Sequence, residues 1–222
     1  MHKPNQKIRN ENHAPIVKII SPKNNSAYRW NSLVPYEISV SDKEDGESKY
    51  QEINPKEVFL EIKYVKDSIE ALAEIKKNNS EDPPGLSIIK MSNCMNCHAF
   101  KTKLIGPSFY EIERRYYKVA NIKDTLCNHI LNGSKGRWGE IQMPSNTKLN
   151  ESEAKNIIEW IFNNAGDSTV DYLPGTEGSL RLNSPDASYK NIILVASYTD
   201  HGSKDEPAKR LQGKDIVVIK GK

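Results

Sequence analysis

Cys94-Met95-Asn96-Cys97-His98 decides the fold of the central part of this chain. Two cysteines separated by two residues and followed directly by histidine form the attachment site of a c-type haem. On one helical turn, the two thiols can reach the two vinyl groups of a single porphyrin, and the next side chain then lies beneath the iron. The motif therefore predicts one covalent haem c, bound through Cys94 and Cys97, with His98 as the proximal ligand.

The second axial ligand is sought among the methionines and histidines, because these are the usual partners in a low-spin electron carrier. Met1 is terminal, Met91 lies about a turn before the motif and Met95 lies between the two cysteines. None of these three easily reaches the far face of the porphyrin. Met143 lies downstream in a loop rich in Gly and Pro, and we interpret it as the sixth ligand. His129 is the alternative, although it lies within an amphipathic helical pattern and off its apolar stripe.

From about residue 85 to residue 165 the chain resembles a small class I cytochrome c of the soluble bacterial type. The shared motifs are the haem motif, Ile105-Gly106-Pro107, Asn132-Gly133-Ser134, Gly136-Arg137-Trp138-Gly139, Met143-Pro144-Ser145-Asn146 and a last helix containing Trp160. The resemblance implies that the Pro107 carbonyl accepts the Nδ1 proton of His98, which fixes the ring. It also implies that the Trp138 indole donates to a haem propionate, and that the Asn146 amide contacts the Met143 sulfur.

Helix signals within this region are clear. Ser108 with Glu111 three residues later forms a capping box, and Asn150 with Glu153 forms another. Trp160 belongs to the apolar stripe of the last helix, which predicts a core position for it. Helical patterns also cover residues 86–91 and 124–131.

Short β-rich runs separated by turn residues flank the helical region on both sides. They cover residues 16–22, 33–42 and 57–65 before it, and residues 178–182, 189–200 and 215–219 after it. Three strands with one apolar face do not close a sandwich, so we expect the two sets to combine. The alternative is two independent β pieces, which at about fifty residues each would be marginally stable without disulfides.

The two flanks together resemble one immunoglobulin-like domain of the polycystic-kidney-disease (PKD) type. The resemblance rests on Ala14-Pro15-Ile16-Val17, Ser39-Val40-Ser41-Asp42, and Ala196-Ser197-Tyr198-Thr199-Asp200 before Gly202. The predicted fold class is multidomain α and β, with an all-α class I cytochrome c domain inserted into a PKD-type β-sandwich. The predicted segments are a tether (1–13), the first half of the sandwich (14–66), a linker with a short helix (67–84), the cytochrome domain (85–165), and the second half of the sandwich (166–222), which begins with a return linker (166–175).

Bulk composition is that of a soluble globular protein. The chain has 222 residues, of which 36% are hydrophobic and 27% charged. No run approaches the apolar length of a membrane span. The net charge of +3 is too small to indicate nucleic-acid binding. The third cysteine, Cys127, is predicted to be a small buried residue on a helix.

The compartment follows from the chemistry, because most bacteria attach haem to such thiols only after export. We therefore expect a periplasmic or otherwise extracytoplasmic location. The opening residues 1–6 lack the apolar segment of a signal peptide. We read the chain as the mature part, or an excised piece, of a longer exported precursor.

Two charged groups of residues have competing interpretations. Scattered basic side chains in the cytochrome region either keep the protein soluble, which is the favoured reading, or steer an acidic partner. They include Lys101, Lys103, Lys123, Lys135, Arg137 and Lys148. Asp42, Glu44 and Asp45 are predicted to share an end of the sandwich with Asp200, where oxygen ligands suit calcium. Ordinary turn chemistry is the favoured explanation of this acidic group.

Six-coordinate iron leaves no open position, so the predicted function is one-electron transfer and not enzymatic catalysis. PKD-cytochrome arrangements similar to this one occur in quinoprotein sugar dehydrogenases. This analogy suggests a pyrroloquinoline quinone (PQQ)-dependent dehydrogenase as the electron donor. The alternatives are a glycan- or protein-binding sandwich with a subsidiary haem, and a haem sensor or enzyme with a displaceable sixth ligand.

Overall fold

The computed structural model of the protein describes residues 11–77 and 81–222. Within these ranges the strands are β1 (Ile16–Ser21), β2 (Ala27–Tyr28), β3 (Leu33–Asp42), β4 (Gly46–Glu47), β5 (Phe59–Val65), β6 (Val170–Pro174), β7 (Glu177–Arg181), β8 (Asn191–Thr199) and β9 (Gln212–Gly221). The α-helices are α1 (Ser68–Lys77), α2 (Pro84–Met91), α3 (Phe109–Tyr116), α4 (Ile122–Asn132) and α5 (Glu151–Asn164).

The strands form two sheets, and each sheet combines strands from both ends of the chain. One sheet has the order β1-β3-β4, with β7 also paired to β3, and the other has the order β2-β9-β8-β5-β6. The antiparallel pairs include β3 with β7 and β5 with both β6 and β8. The chain therefore enters the helical region from β5 and returns through β6, the strand next to it.

Alternating burial explains how the two sheets share a core. In β3, Val34, Tyr36, Ile38 and Val40 are buried while the residues between them are more exposed, as expected for a strand with one apolar face. They belong to one apolar cluster with residues of the other sheet, such as Leu194. β8 is buried on both faces, because its second face packs against α1 and its Ser197 accepts a hydrogen bond from Lys90 of α2.

The strand β6 corrects the prediction of a return linker over residues 166–175. Val170 and Tyr172 are buried, and Val170–Pro174 pairs along the edge of β5. The sequence does not predict this strand, because it contains Asp171 and Pro174 and both residue types are depleted in strands. β2 and β4, each two residues long, are also absent from the sequence prediction.

The predicted tether, residues 1–13, lies mostly outside the described residues. Its last part is hydrogen bonded: the Asn12 amide donates to Asp200 and the His13 ring contacts Glu44. Ordered structure therefore extends back to Asn12. Of the predicted linker, residues 78–80 lie outside the described residues, and α1 occupies the position of the expected short helix.

Both predicted capping boxes are confirmed, at Ser108 with Glu111 and at Asn150 with Glu153. Trp160 is buried, as predicted for a core residue. None of the helices in the described part of the chain combines the length and the apolar content needed to span a bilayer.

The helical region, residues 84–164, packs directly on the second sheet. Phe59 of β5 and Tyr172 of β6 belong to the same apolar cluster as Phe100 and Trp160. The Tyr172 ring lies edge-on to both, with centroids 4.9 Å from Phe100 and 5.4 Å from Trp160. The helices and the sheets are therefore joined through a shared apolar contact.

Candidate haem-binding site

The haem motif forms a single tight turn. Cys94–Asn96 is a 3₁₀ helix, preceded by Asn93 in the left-handed region with a φ of 58°. The Cys94 carbonyl accepts from the backbone N–H groups of Cys97 at 3.2 Å and His98 at 3.0 Å. Neither Cys94 nor Cys97 forms a disulfide with a described residue. One turn thus positions the imidazole together with two thiols that are available for thioether bonds.

The His98 ring has a defined orientation and protonation. It is buried, and its Nδ1 lies 2.6 Å from the Pro107 carbonyl oxygen. A carbonyl only accepts hydrogen bonds, so Nδ1 carries the proton and Nε2 keeps a lone pair. Burial lowers the pKa of His98, and the hydrogen bond to Pro107 opposes this only in part. A neutral imidazole with a free Nε2 is the form that binds iron.

Two neighbours fit closely around this ring. A Cβ at Gly106 would lie 2.7 Å from His98 Cε1, so only glycine fits beside the imidazole. Phe109 stacks against it with centroids 5.7 Å apart and an interplanar angle of 14°. The Gly106 N–H donates to the Cys97 carbonyl at 2.8 Å, which ties this loop to the haem motif. These residues fit a proximal haem ligand held in one orientation.

Met143 is fixed by its backbone. Ser134 and Met143 exchange two hydrogen bonds, with N···O distances of 3.0 Å and 2.8 Å. Gly133 adopts a φ of +79°, and a Cβ there would lie 2.7 Å from the Met143 carbonyl oxygen. The Met143 side chain is half-buried against the apolar cluster of the helical region. The loop after α4 therefore holds the sulfur-bearing residue by a two-residue bridge.

Trp138 and Asn146 lie in the same loop region. The Trp138 ring is half-buried and lies 4.4 Å from the Arg115 guanidinium, which donates to the Arg137 carbonyl at 2.9 Å. The Asn146 backbone N–H donates to Ile130 at 2.9 Å. The contacts of the Trp138 indole with a propionate and of the Asn146 amide with sulfur stay predictions.

His129 stays the alternative to Met143. It is half-buried near the end of α4, where its carbonyl accepts from the Gly133 N–H at 3.0 Å. Burial lowers its pKa, and the positive charge of Arg137 lowers it further. Cys127, on the same helix, is buried as predicted, and burial raises the pKa of its thiol.

Sequence reasoning missed two contacts at this site. The stacking of Phe109 on His98 has a detectable signal, because the Ser108 cap fixes Phe109 as the first residue of α3. The pairing of Arg115 with Trp138 has no local signal, since the two residues lie on separate segments. In the described ranges, no group of three or more His, Cys, Asp or Glu side chains is arranged around a metal position.

The part of the chain that contains the haem motif is similar to known proteins. Cytochrome c-551 of Azotobacter vinelandii is 44% identical over 78 residues, which cover 35% of this chain and 94% of that protein. The chain belongs to the class I c-type cytochromes. Cytochrome c-551 of Stutzerimonas stutzeri is 41% identical over 78 residues, which cover 35% of this chain and 74% of that protein. The similarity implies a covalently bound haem c and supports c-type haem electron transfer.

The crystal structure of wild-type Nitrosomonas europaea cytochrome c552 is also similar to the chain. It matches with 33% sequence identity and a TM-score of 0.34, over 35% of this chain and 96% of that one. No family model matches the chain. The similarity to the cytochromes covers about a third of the chain, and the remainder has substantial sheet content.

Proposed function

We propose that this protein is a one-electron carrier with a single haem c, joined to Cys94 and Cys97 and ligated axially by His98 and Met143. The proposal rests on the observation that contacts within the protein hold both ligand residues, His98 and Met143, in place. The His98 ring is buried with Nδ1 committed to Pro107, and Met143 is held by the bridge to Ser134. When bound, the haem supplies a ferric/ferrous couple.

The chain's own residues set the conditions for this chemistry. The Pro107 carbonyl keeps the His98 ring in one tautomer and makes its free nitrogen a stronger donor. A methionine sulfur opposite histidine favours the reduced metal and raises the reduction potential. The Trp138 indole would hold a haem propionate, and the Asn146 amide would position the Met143 sulfur. Met95, Phe100 and Phe109 are buried beside the motif and would limit the access of water to the haem.

We also propose that the strands form a PKD-type immunoglobulin-like sandwich that displays the cytochrome. The proposed division assigns residues 14–66 and 166–222 to the sandwich and residues 85–165 to the cytochrome domain. Supporting this division, strands from both ends of the chain pair in both sheets and share one apolar cluster. In this arrangement the sandwich fixes the direction in which the haem edge faces.

The proposed location is periplasmic, with electrons arriving from a dehydrogenase and leaving to a downstream acceptor. A PQQ-dependent sugar dehydrogenase is the proposed donor. Stopped-flow mixing of the oxidised protein with such an enzyme and its sugar should reduce the haem. If lysines near the haem edge steer docking, the rate falls steeply with ionic strength. Absence of reduction would exclude the dehydrogenase tested as the donor.

The axial ligation is tested by Met143→Ala. Loss of the sulfur should open a coordination position, so that the reduced variant binds carbon monoxide and the reduction potential falls. Visible spectra and an anaerobic redox titration measure both changes. Met91→Leu is the matched control, because Met91 is 40% exposed and lies outside the predicted ligand loop. If Met143→Ala keeps the wild-type spectrum and potential, another residue, with His129 first, holds the sixth position.

A further inference from the structure

Three segments meet at the end of the sandwich where β3 and β8 finish. The turn after β3 is tied to the N-terminal segment by the His13 ring, whose Nδ1 lies 2.8 Å from Glu44 Oε1. The same turn is tied to the end of β8 through Asp45. Its Oδ2 accepts from the Tyr198 hydroxyl at 2.7 Å and from the His201 backbone N–H at 3.0 Å. Asp42, Asn12 and Asp200 are thereby brought to one place.

Asp200 is a fully buried carboxylate at this place. Its Oδ1 accepts from the backbone N–H groups of Gly202 and Leu211, each at 2.9 Å. Its Oδ2 accepts from the Asn12 amide at 2.8 Å. The Asn12 Nδ2 also donates to the Lys209 carbonyl at 2.9 Å, which fixes the amide so that Oδ1 is its free end.

Two oxygens in this group lack hydrogen-bond donors. Asp42 is only 6% exposed, and its Oδ1 accepts from the backbone N–H groups of Glu44 at 2.9 Å and Asp45 at 2.7 Å. The hydrogen bonds of this turn therefore satisfy one of the two carboxylate oxygens of Asp42. Its Oδ2 is buried with no partner, and so is Asn12 Oδ1. A buried acceptor without a donor is costly, and most of all on a carboxylate.

The negative charges at this end of the sandwich repel one another. Asp42 lies close enough to Asp45 and Asp200 for their negative charges to repel one another, and both Asp42 and Asp200 are buried. The unpartnered oxygens of Asp42 and Asn12 accept no hydrogen bond from any of the basic side chains that the structure describes nearby. A bound cation would offset the repulsion between the carboxylates and give both unpartnered oxygens a partner. A proton on Asp42 Oδ2 could also bond the Asn12 oxygen, and the calcium titration below separates the two.

We propose that Asp42, Asp200 and Asn12 bind one calcium ion. The available donors are carboxylate and amide oxygens, which calcium prefers, and its flexible coordination leaves room for several waters. A neighbouring open pocket exposes residues beside the three proposed ligands to solvent. It is lined by Glu11, His13, Lys43, Glu44, Gly202, Ser203 and Lys204. Two carboxylates and one amide make a weak site, in the range of extracellular modules. The ion fastens the N-terminal segment to the ends of β3 and β8.

The test uses the complete haem-loaded protein, freed of divalent cations and titrated with CaCl₂ by calorimetry. We expect one calcium per chain with a Kd of about 0.1–1 mM, and a Tm that rises by a few degrees at saturating calcium. Asp42→Asn should weaken binding by about tenfold or more, because it removes the charged oxygen. Asp186→Asn is the matched control. Asp186 is also a turn carboxylate that accepts a backbone N–H, but it precedes β8 and not the proposed site.

Two results would overturn the calcium site. One is the absence of calcium binding to the wild-type protein up to about 10 mM, beyond the weakest protein modules. The other is equal affinity of wild type and Asp42→Asn. Should Asp42→Asn fail to fold, Asn12→Ala provides a second variant on a segment outside the strands. It should weaken calcium binding, and unchanged affinity in that variant would count against the site.

Discussion

His98 is held by contacts that come from three directions. The Pro107 carbonyl fixes Nδ1, Phe109 covers one ring face, and Gly106 leaves space at Cε1. The haem motif itself could be predicted from sequence, because its chemistry depends on five consecutive residues. The packing of the ring was only partly predictable, because the Ser108 cap places Phe109 at the start of α3 but does not show that its ring stacks on His98.

Gly106→Ala should disturb this arrangement. The added methyl group would lie 2.7 Å from His98 Cε1 and 3.0 Å from Nδ1, closer than real Cβ contacts. Since the buried ring must shift, we expect the free energy of unfolding to fall by about 1–3 kcal/mol, as in other overpacked sites. Denaturant unfolding followed by haem absorbance measures the loss.

Gly166→Ala is the control for Gly106→Ala. The Cβ at Gly166 would meet the carboxylate end of Glu113 at 3.2 Å, and this flexible side chain can move. Its effect should stay within about 0.5 kcal/mol. Equal effects of the two substitutions would show that the His98 ring tolerates displacement.

At the scale of elements, the crossing of α2 and α5 organises the helical region. A Cβ at Gly85 would lie 2.2 Å from the Asn156 carbonyl oxygen and 2.5 Å from Trp160 Cβ. The two helices therefore approach closely at a position where one of them has no side chain. This contact places the start of α2, and hence the haem motif that follows it, against the last helix.

Gly85→Ala is expected to separate α2 from α5. The backbone of α5 cannot move aside as the end of a flexible side chain can. We therefore expect the free energy of unfolding to fall by about 3 kcal/mol or more. Ser87→Ala, on the same helix and half-buried, should change it by no more than about 0.5 kcal/mol. Chemical denaturation of both variants decides this, and wild-type stability of Gly85→Ala would contradict the close crossing.

The elements differ in how far the sequence predicts them. The capping boxes at Ser108 and Asn150 were predictable, since they depend on residues three positions apart. β6 was not predictable, because it contains Asp171 and Pro174, which are unusual in strands. Its partner β5 is also separated from it in sequence by the whole helical region. Local signals predict helix ends well, whereas a short edge strand depends on its distant partner.

At the scale of the whole molecule, a buried ionic network joins the cytochrome region to the sandwich. Asp82 accepts from Lys90 of α2 at 2.6 Å and from Lys214 of β9 at 2.9 Å. Lys90 also donates to Ser197 of β8 at 2.8 Å, and Gln212 donates to Asp82 at 2.8 Å. No sequence pattern predicts this network, because Ser197, Gln212 and Lys214 lie more than a hundred residues from Asp82 and Lys90.

Asp82→Asn should lower the free energy of unfolding of the protein. The substitution removes the ion pairs that Asp82 makes with buried Lys90 and half-buried Lys214, and we expect the free energy of unfolding to fall by about 3–5 kcal/mol at pH 7. Glu81→Gln is the control, because Glu81 is the exposed neighbour of Asp82. Urea unfolding of the two variants at pH 7 measures the difference.

The same network predicts a pH dependence. Burial alone would raise the pKa of Asp82, but Lys90 and Lys214 outweigh it and lower that pKa to about 2. Because the folded pKa lies below the unfolded value of about 4, the stabilisation is complete above the unfolded pKa and declines as pH falls toward the folded one. Wild type should lose stability over this window more steeply than Asp82→Asn. Parallel pH profiles of the two proteins would contradict the assignment.

As proposed above, His98 and Met143 close the iron on both sides, so that electrons pass and small ligands do not bind. The most direct test of this proposal is the visible spectrum of the wild-type holoprotein, recorded oxidised and then reduced under carbon monoxide. We predict a weak far-red band from methionine ligation in the oxidised state and an unchanged reduced spectrum under carbon monoxide. Ready carbon monoxide binding, or an oxidised spectrum without the far-red band, would contradict the account.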